Sequence, residues 1–345
     1  MVTSGFETII GQQRPITILQ HFLATTAVPH ALLFTGIEGV GKRTTAKLFA
    51  MALNCRNVQP LQSPSPEPYE ISPCGTCRSC RHITDGIHPD MIQINPQKNT
   101  IRIAQIRTLL GMLAMKPYNA THRVVIIAQA DCMNREAGNA LLKILEEPPP
   151  DTILILTAQC REDLLPTIAS RCRHIRFNAL ATDDVVRLLS RHSDVDPSQR
   201  QTIAQLAGGS YTRALIIAQS QWNRHRDWVI RAAGLDRAEH LKDRNAALAL
   251  AFSKALADEK AHIEDNITLL QTWIRDLAII VHTPQNAIHR DRLETLQQVR
   301  AGLDSDTLLG LWNTVEKAQK NIVGNGNLRL TLDVMALQMA TLLAA

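Results

Sequence analysis

The chain has 345 residues, room for two or three domains at the ~150 residues a domain commonly takes. Hydrophobic residues make up 45% and charged residues 20%, with 16 Gly and 16 Pro, an ordinary globular composition that excludes collagen-like and disordered classes. The 37 Lys+Arg against 32 Asp+Glu leave +5, a mild basic excess compatible with nucleic acid nearby, while 4% aromatic residues argue against a surface that reads single strands by stacking.

In chain order, the apolar runs at 31–35 (ALLFT), 91–94, 124–128 (VVIIA), 153–157 (ILILT) and 174–177 predict strands. Between them, helical spacing predicts helices over 42–53, over 103–113 with apolar residues at Ile103, Ile106, Leu109, Leu110 and Leu113, over 134–145, and briefly near 163–170. Strands alternating with helices imply a parallel five-stranded sheet covered on both faces, and strands with so little polar alternation suit burial on both sides. The Pro/Ser-rich stretch at 59–73 reads as a loop, and the PPP at 148–150 ends the helix before it. Beyond about Phe177 the strands stop. Three short helices are expected over 183–192, 197–207 and 211–219, with Thr182 as N-cap of the first and Gly208-Gly209 as the turn before the third. From about Arg237 the Ala/Leu-rich pattern predicts four or five amphipathic helices in a bundle that packs on itself or on other subunits. No apolar run approaches the ~18 residues of a membrane span, and the start, MVTSGFETIIGQQRP, lacks the features of an export signal, so a cytoplasmic protein is expected.

Gly36-Ile-Glu-Gly39-Val-Gly41-Lys42-Arg43-Thr44 directly follows the ALLFT strand and opens a helix. That is the context of a phosphate-binding loop, in which glycines let backbone N–H groups converge on phosphate oxygens and Lys42 reaches the outer phosphates. Two positions depart from a hydrolysing site. The residue after the Lys, where Ser or Thr would ligate Mg²⁺, is Arg43, with Thr44 displaced by one. Where a carboxylate pair would end the VVIIA strand stand Ala128 and Gln129; Asp131, three residues past that point, would need a distorted strand end to substitute for them and reads rather as a cap for the turn before the next helix.

Seven cysteines is an odd number in a chain without an export signal, which favours a metal site over a disulfide framework. Cys55 is followed at a distance by Cys74-Gly-Thr-Cys77-Arg-Ser-Cys80, giving four thiolates able to form the closed tetrahedron of structural Zn²⁺. His82 and His88 are possible substitute ligands. Cys132, Cys160 and Cys172 read as buried thiols.

Phe6…Ile10-Gly11-Gln12, Pro29-His30-Ala31, GIEGVGK at 36–42, His88-Pro89-Asp90, Ala130-Asp131-Cys132-Met133-Asn134, NALLKILEEPP at 139–149 and Leu165-Pro166-Thr-Ile-Ala-Ser170-Arg171-Cys172 together resemble the bacterial sliding-clamp loaders, AAA+ proteins of the DNA polymerase III holoenzyme. The likeness is dense up to about residue 178, continues through Gly-Gly-Ser-Tyr-Thr-Arg213, and thins toward Asn325-Gly-Asn327-Leu-Arg-Leu. It implies an AAA+ nucleotide-binding-type domain over 1–178 with a zinc module at about 55–80, a helical lid over 179–236 and an all-α collar over 237–345. It further implies motor (gamma/tau) and delta subunits as partners, and the sliding clamp and primer-template DNA reached through the assembly. Arg171 in Ser-Arg-Cys is similar to an arginine finger that reaches ATP bound by the adjacent subunit. Arg213 matches a second sensing arginine, which would contact nucleotide in its own chain or simply pair with a carboxylate. Thr157-Ala-Gln-Cys160 lacks the first sensing residue of active relatives, and the same four-cysteine arrangement occurs in related loader subunits.

Three classes are thereby set against one another: a non-hydrolysing assembly subunit that donates a finger, an active ATPase motor, and an independent DNA-binding zinc protein. The missing carboxylates oppose the second; the low aromatic content and modest charge oppose the third. ATP or ADP bound by Gly36, Gly39, Gly41, Lys42 and Thr44 without turnover fits the first. The chain also ends soon after the collar pattern, without an extension of the tau kind, and no polymerase metal site is legible in it.

Overall fold

A computed structural model describes residues 5–57, 59–60, 71–118, 120–220, 222–237, 239, 245–324 and 326–344. These fall into two compact units, residues 1–188 with 209–212, and residues 189–208 with 213–345. The Pro/Ser-rich stretch lies outside the described residues over 61–70; at its margins Gln59–Pro60 and Ile71–Ser72 pair as a short antiparallel ribbon.

The first unit is built on five parallel strands, β1 (Ala31–Thr35), β2 (Met91–Ile94), β3 (Arg123–Ile127), β4 (Thr152–Ala158) and β5 (Arg173–Arg176), in the order β2-β3-β4-β1-β5. Every residue of β1, β3 and β4 is buried. Successive side chains point to opposite faces. Leu32, Phe34, Val124 and Ile126 pack under helices α1 (Gln13–Thr25) and α2 (Lys42–Leu53). Leu33, Val125, Ile127 and Leu154 pack under a later pair, α4 (Ile103–Leu113) and α5 (Arg135–Glu146). A short helix, α3 (Arg78–Thr84), packs on α2, and α6 (Pro166–Ala169) packs on α5. The expected architecture is what forms: an α/β domain with a parallel five-stranded sheet, followed by helices. Strand and helix bounds differ from the sequence reading by up to three residues, and Thr182, expected as an N-cap, is itself the first residue of α7 (Thr182–Leu189).

One buried ion pair fixes the sheet's edge. Arg123, only 6% exposed at the start of β3, donates to the carbonyls of Met112 (3.1 Å), Met115 (2.7 Å) and Lys116 (2.8 Å), closing the C-terminal end of α4. Its partner Asp90, 3.7 Å away, accepts from the N–H groups of Tyr118 (2.7 Å) and Ala120 (3.0 Å).

The second unit is helical: α8 (Arg200–Leu206), most of α9 (Tyr211–Gln219), α10 (Trp222–Ala233), α11 (Ala246–Asp258), α12 (Ile263–Ile279), α13 (Leu293–Ala301), α14 (Ser305–Val323) and α15 (Leu328–Ala344). Helices α11 and α14 both pack on α15, and α12 packs on α14. Leu256, Leu270, Trp273, Leu311, Val315, Leu332 and Met339 lie in one continuous core. The loop from α12 to α13 is anchored by the buried Asp276 carboxylate, which accepts from the N–H groups of Ile288 (2.8 Å) and His289 (2.7 Å) and pairs with Arg275 (3.0 Å). Among the described residues, no helix is long and apolar enough to cross a membrane.

His289 lies fully buried in that loop, with Nε2 3.2 Å from the Thr272 hydroxyl. Burial, and then the neighbouring Arg226 charge, push its pKa down to about 3. The unfolded chain therefore takes up a proton near pH 6.5 that the folded chain refuses, so this histidine's contribution is complete above pH 6.5 and is lost progressively as pH falls toward 3. Denaturant unfolding is expected to show stability dropping by up to about 1.4 kcal/mol per pH unit below pH 6 from this group. His289→Gln should flatten that slope; an unchanged slope would assign the pH dependence elsewhere.

Candidate functional site

The glycine-rich loop runs from the end of β1 into α2. Gly36, Gly39 and Gly41 all take positive φ, at 144°, 81° and 97°. A Cβ on Gly39 would lie 2.7 Å from the backbone N of Thr212 and closer still to the Ser210 hydroxyl, whereas one on Gly41 would meet nothing within 4 Å. The loop is thus clamped on one side and open on the other. The clamp is the 209–212 segment of the same unit, where Tyr211 N–H donates to Gly39 O at 3.1 Å. From the sheet, Gly36 N–H donates to Gln159 O at 2.9 Å. Lys42 Nζ donates to the carbonyls of Gly36 and, at 2.8 Å, Ile37. Burial lowers the Lys42 pKa, opposed by the charges of Asp131 and Glu38.

Arg43 points sideways, donating to Asn95 Oδ1 at 3.0 Å just past β2, and Thr44 is exposed. The next residue, Thr45, is fully buried, with its hydroxyl oxygen unpartnered. At the end of β3, Ala128 is buried and Gln129 takes φ 49°, which turns the chain into a 3₁₀ turn over Ala130–Cys132. Here the expectation for Asp131 is corrected. The helix that follows is capped by Asn134, whose Oδ1 accepts from Ala137 N–H at 2.9 Å, because Asn134 rather than Asp131 stands at the N-cap of α5. Asp131 instead turns inward: its Oδ1 is buried without a hydrogen-bond partner. Burial raises its pKa, and the Lys42 charge opposes the rise. Thr157, in the first-sensor stretch, is buried and accepts from Gln129 N–H at 3.1 Å.

Arg171 leaves the corner between α6 and β5. The corner is rigid, since Ile168, Ala169 and Cys172 are all core residues. The guanidinium, with 38% of the side chain exposed, pairs with Glu146 Oε1 at 2.9 Å and donates to Thr167 O at 3.0 Å. Glu146 was not legible as a site residue; the one local signal is a carboxylate ending a helix, where the macrodipole disfavours negative charge. Arg213, in the helical unit, pairs with Asp265 at 2.9 Å.

Cys55, Cys74, Cys77 and Cys80 come together with their sulfurs all within 4.8 Å of one another. A tetrahedral ion with ~2.3 Å metal–sulfur bonds needs sulfurs about 3.8 Å apart, so small side-chain shifts close the site on a metal such as zinc. The turn prepares them: Cys74 N–H points at Cys55 Sγ (3.4 Å), Cys77 N–H at Cys74 Sγ (3.4 Å) and Cys80 N–H at Cys77 Sγ (3.5 Å). Against the upward push of burial, the Cys77 and Thr76 N–H groups pull the Cys74 thiol down to about 6. The histidines stay outside the group: the buried His88 ring accepts from Asp90 N–H at 3.2 Å, and His82 lies 6.5 Å from it, ring to ring. Of the three remaining cysteines, Cys172 is buried as expected and Cys132 partly so, but Cys160 is exposed, because the chain leaves the sheet after Ala158.

Residues 11–181 match the family described as DNA polymerase III, delta subunit. The delta' subunit of Bacillus subtilis is 27% identical over 333 residues, covering 95% of this chain and 96% of that one. The delta' subunit of Pseudomonas aeruginosa is 34% identical over 184 residues, 52% of this chain and 53% of its own length. The tau subunit of Escherichia coli is 32% identical over 215 residues, 61% of this chain and 32% of its own, so the chain spans about a third of the tau subunits it matches. Fold and site together define an α/β protein with a glycine-rich strand-to-helix loop, related to DNA polymerase III subunits. The chain belongs to the delta prime family of DNA polymerase III clamp-loader subunits.

The two loop glycines differ in what surrounds them. Gly39→Ala is expected to cost about 1–3 kcal/mol in urea unfolding of the first unit, combining strain with the clash on Thr212. Gly41→Ala meets open space and should cost only the ~1 kcal/mol of left-handed strain. Equal costs would count against the clamp.

Proposed function

We propose that this chain is a non-hydrolysing stator of the clamp loader, which helps place the sliding clamp on primed DNA and donates Arg171 to ATP held by a neighbouring motor (gamma/tau) subunit. The observation that carries this reading is a partly exposed arginine on a rigid corner, in a chain whose β3 ends in Ala128-Gln129 rather than carboxylates. A guanidinium beside the γ-phosphate stabilises the charge that develops as the phosphoryl group leaves. On this reading residues 1–178, 179–236 and 237–345 serve as nucleotide-binding-type domain, lid and collar, with the motor and delta subunits as neighbours. Gly36, Gly39, Gly41, Lys42 and Thr44 would hold the phosphates of ATP or ADP without turnover. Arg213 acts through its pair with Asp265. An active ATPase motor is the second reading, and one observation favours it: the half-buried Asp131 carboxylate that feels the Lys42 charge.

The test is ATP turnover, stimulated by clamp and primer-template, in a loader reconstituted from this chain with motor and delta subunits. Arg171→Ala should lower it roughly tenfold or more, a finger being worth on the order of 10³ to 10⁵ at the site it completes. This chain alone should be inactive. Turnover indifferent to Arg171→Ala would end the finger reading, and turnover by this chain alone that is abolished by Lys42→Ala would establish the motor.

The four cysteines would hold Zn²⁺ as a structural ion, supplying a cross-link to a module with little core of its own. Metal analysis should find about one zinc per chain, and Cys77→Ser should remove it and lower the melting temperature of the first unit by roughly several degrees. A native chain without zinc, or zinc lost with no change in melting, would refute this role.

A further inference from the structure

We infer that Glu146 is the positioning residue for Arg171. This rests on the finger reading of Arg171 and goes beyond it, by assigning the group that sets the guanidinium's direction before a neighbour arrives. The two residues belong to different elements. Glu146 is the last residue of α5, and Arg171 follows α6. Gly138, in the first turn of α5, lets the elements approach, since a Cβ there would come within 2.7 Å of Leu165 Cδ1. At the end of the same helix the Glu146 carboxylate meets one Nη of Arg171 at 2.9 Å, while the other Nη donates to Thr167 O at 3.0 Å. Two fixed acceptors on separate nitrogens define the plane of a rigid guanidinium, and its other N–H groups stay available to phosphate oxygens.

Stability does not account for the pair. Both side chains are substantially exposed, at 38% and 52%, and exposed ion pairs contribute little to folding. A carboxylate at a helix C-terminus also opposes the macrodipole. The pairing offsets that local penalty and holds in one rotamer a long side chain that would otherwise be ordered only on meeting its partner's nucleotide.

The experiment compares kcat and KM for ATP in the reconstituted loader carrying Glu146→Gln, Glu146→Asp, Arg171→Ala, or Glu146→Gln with Arg171→Ala, with Glu147→Gln as control. Glu146→Gln is expected to lower kcat by about threefold to tenfold with KM nearly unchanged, as for a misdirected catalytic group. Glu146→Asp should recover part of the loss, Glu147→Gln should match wild type, and the double variant should be no worse than Arg171→Ala. The melting temperature of Glu146→Gln should equal wild type. A large loss in Arg171→Ala with none in Glu146→Gln would overturn the positioning role and leave the finger standing. A gain in kcat, or an equal loss in the Arg171→Ala background, would overturn it also. Indifference to Arg171→Ala would remove the finger, and the positioning role with it.

Discussion

Everything at the site depends on β1 lying between β4 and β5 in a sheet whose strands all run the same way. Parallel neighbours cannot be joined by hairpins, so each strand ends at the same edge of the sheet and hands its chain to a crossover. At that edge β1 ends in the glycine-rich loop, β3 in the Gln129 turn with Asp131, and β4 in Gln159, whose carbonyl takes the Gly36 N–H. The loop's geometry is therefore imposed from outside. Gly36 has no room for a side chain because the Phe177 backbone crosses beside it, and Gly39 has none because of Ser210 and Thr212.

The charges at this edge are arranged unlike those of a hydrolysing site. Such a site sets carboxylates at the neighbouring strand end to hold Mg²⁺ and aim a water molecule. Here the strand end offers an amide, at Gln129, whose backbone is spent on a left-handed turn and a hydrogen bond to Thr157. The nearest acid, Asp131, is displaced into the turn, and its burial favours the neutral form. Arg43, where a hydroxyl would ligate the metal, is drawn off by Asn95. By contrast, the cation on the α6–β5 corner is backed by core residues and turned outward.

Local signals made the first unit's sheet and its phosphate loop legible in the sequence, because uninterrupted apolar runs and a Gly-rich strand-to-helix junction are each encoded within about ten residues. The four cysteines were legible for the same reason, their ligand chemistry being confined to two short segments. Helices α1, α3 and α10 were not identified. In α10 the residue that completes the inward stripe of Trp222, Val229, Ile230 and Ala233 is Arg226, fully buried yet charged. Its cost is met by Asp291, with bonds of 2.8 and 2.6 Å from 65 residues away, and by the Trp222 ring, 4.7 Å from its guanidinium carbon. No window on the helix itself contains that information. α3 has only Cys80 and Ile83 inside, too few for a period to register. Asp131 was misread because both Asp and Asn can cap a helix, and only the extra turn after Gln129 decides which one stands at the N-cap.

Glu146 and Arg171 show the same limit from the functional side. Each is unremarkable in its own segment, an acid ending a helix and a base in a corner, and the acid is locally less favourable there than the alternatives. Their meaning lies in the contact between α5 and α6, which is set by Gly138 and Leu165 rather than by either charged residue. Packing thus decides the direction of a side chain whose chemistry was readable from the start. A flexible arginine on a surface loop would pay its ordering entropy each time a neighbour docked, whereas one held between a helix-end carboxylate and a backbone carbonyl has already lost most of that freedom in the folded chain. The sheet fixes where the arginine stands, and the ion pair fixes where it points.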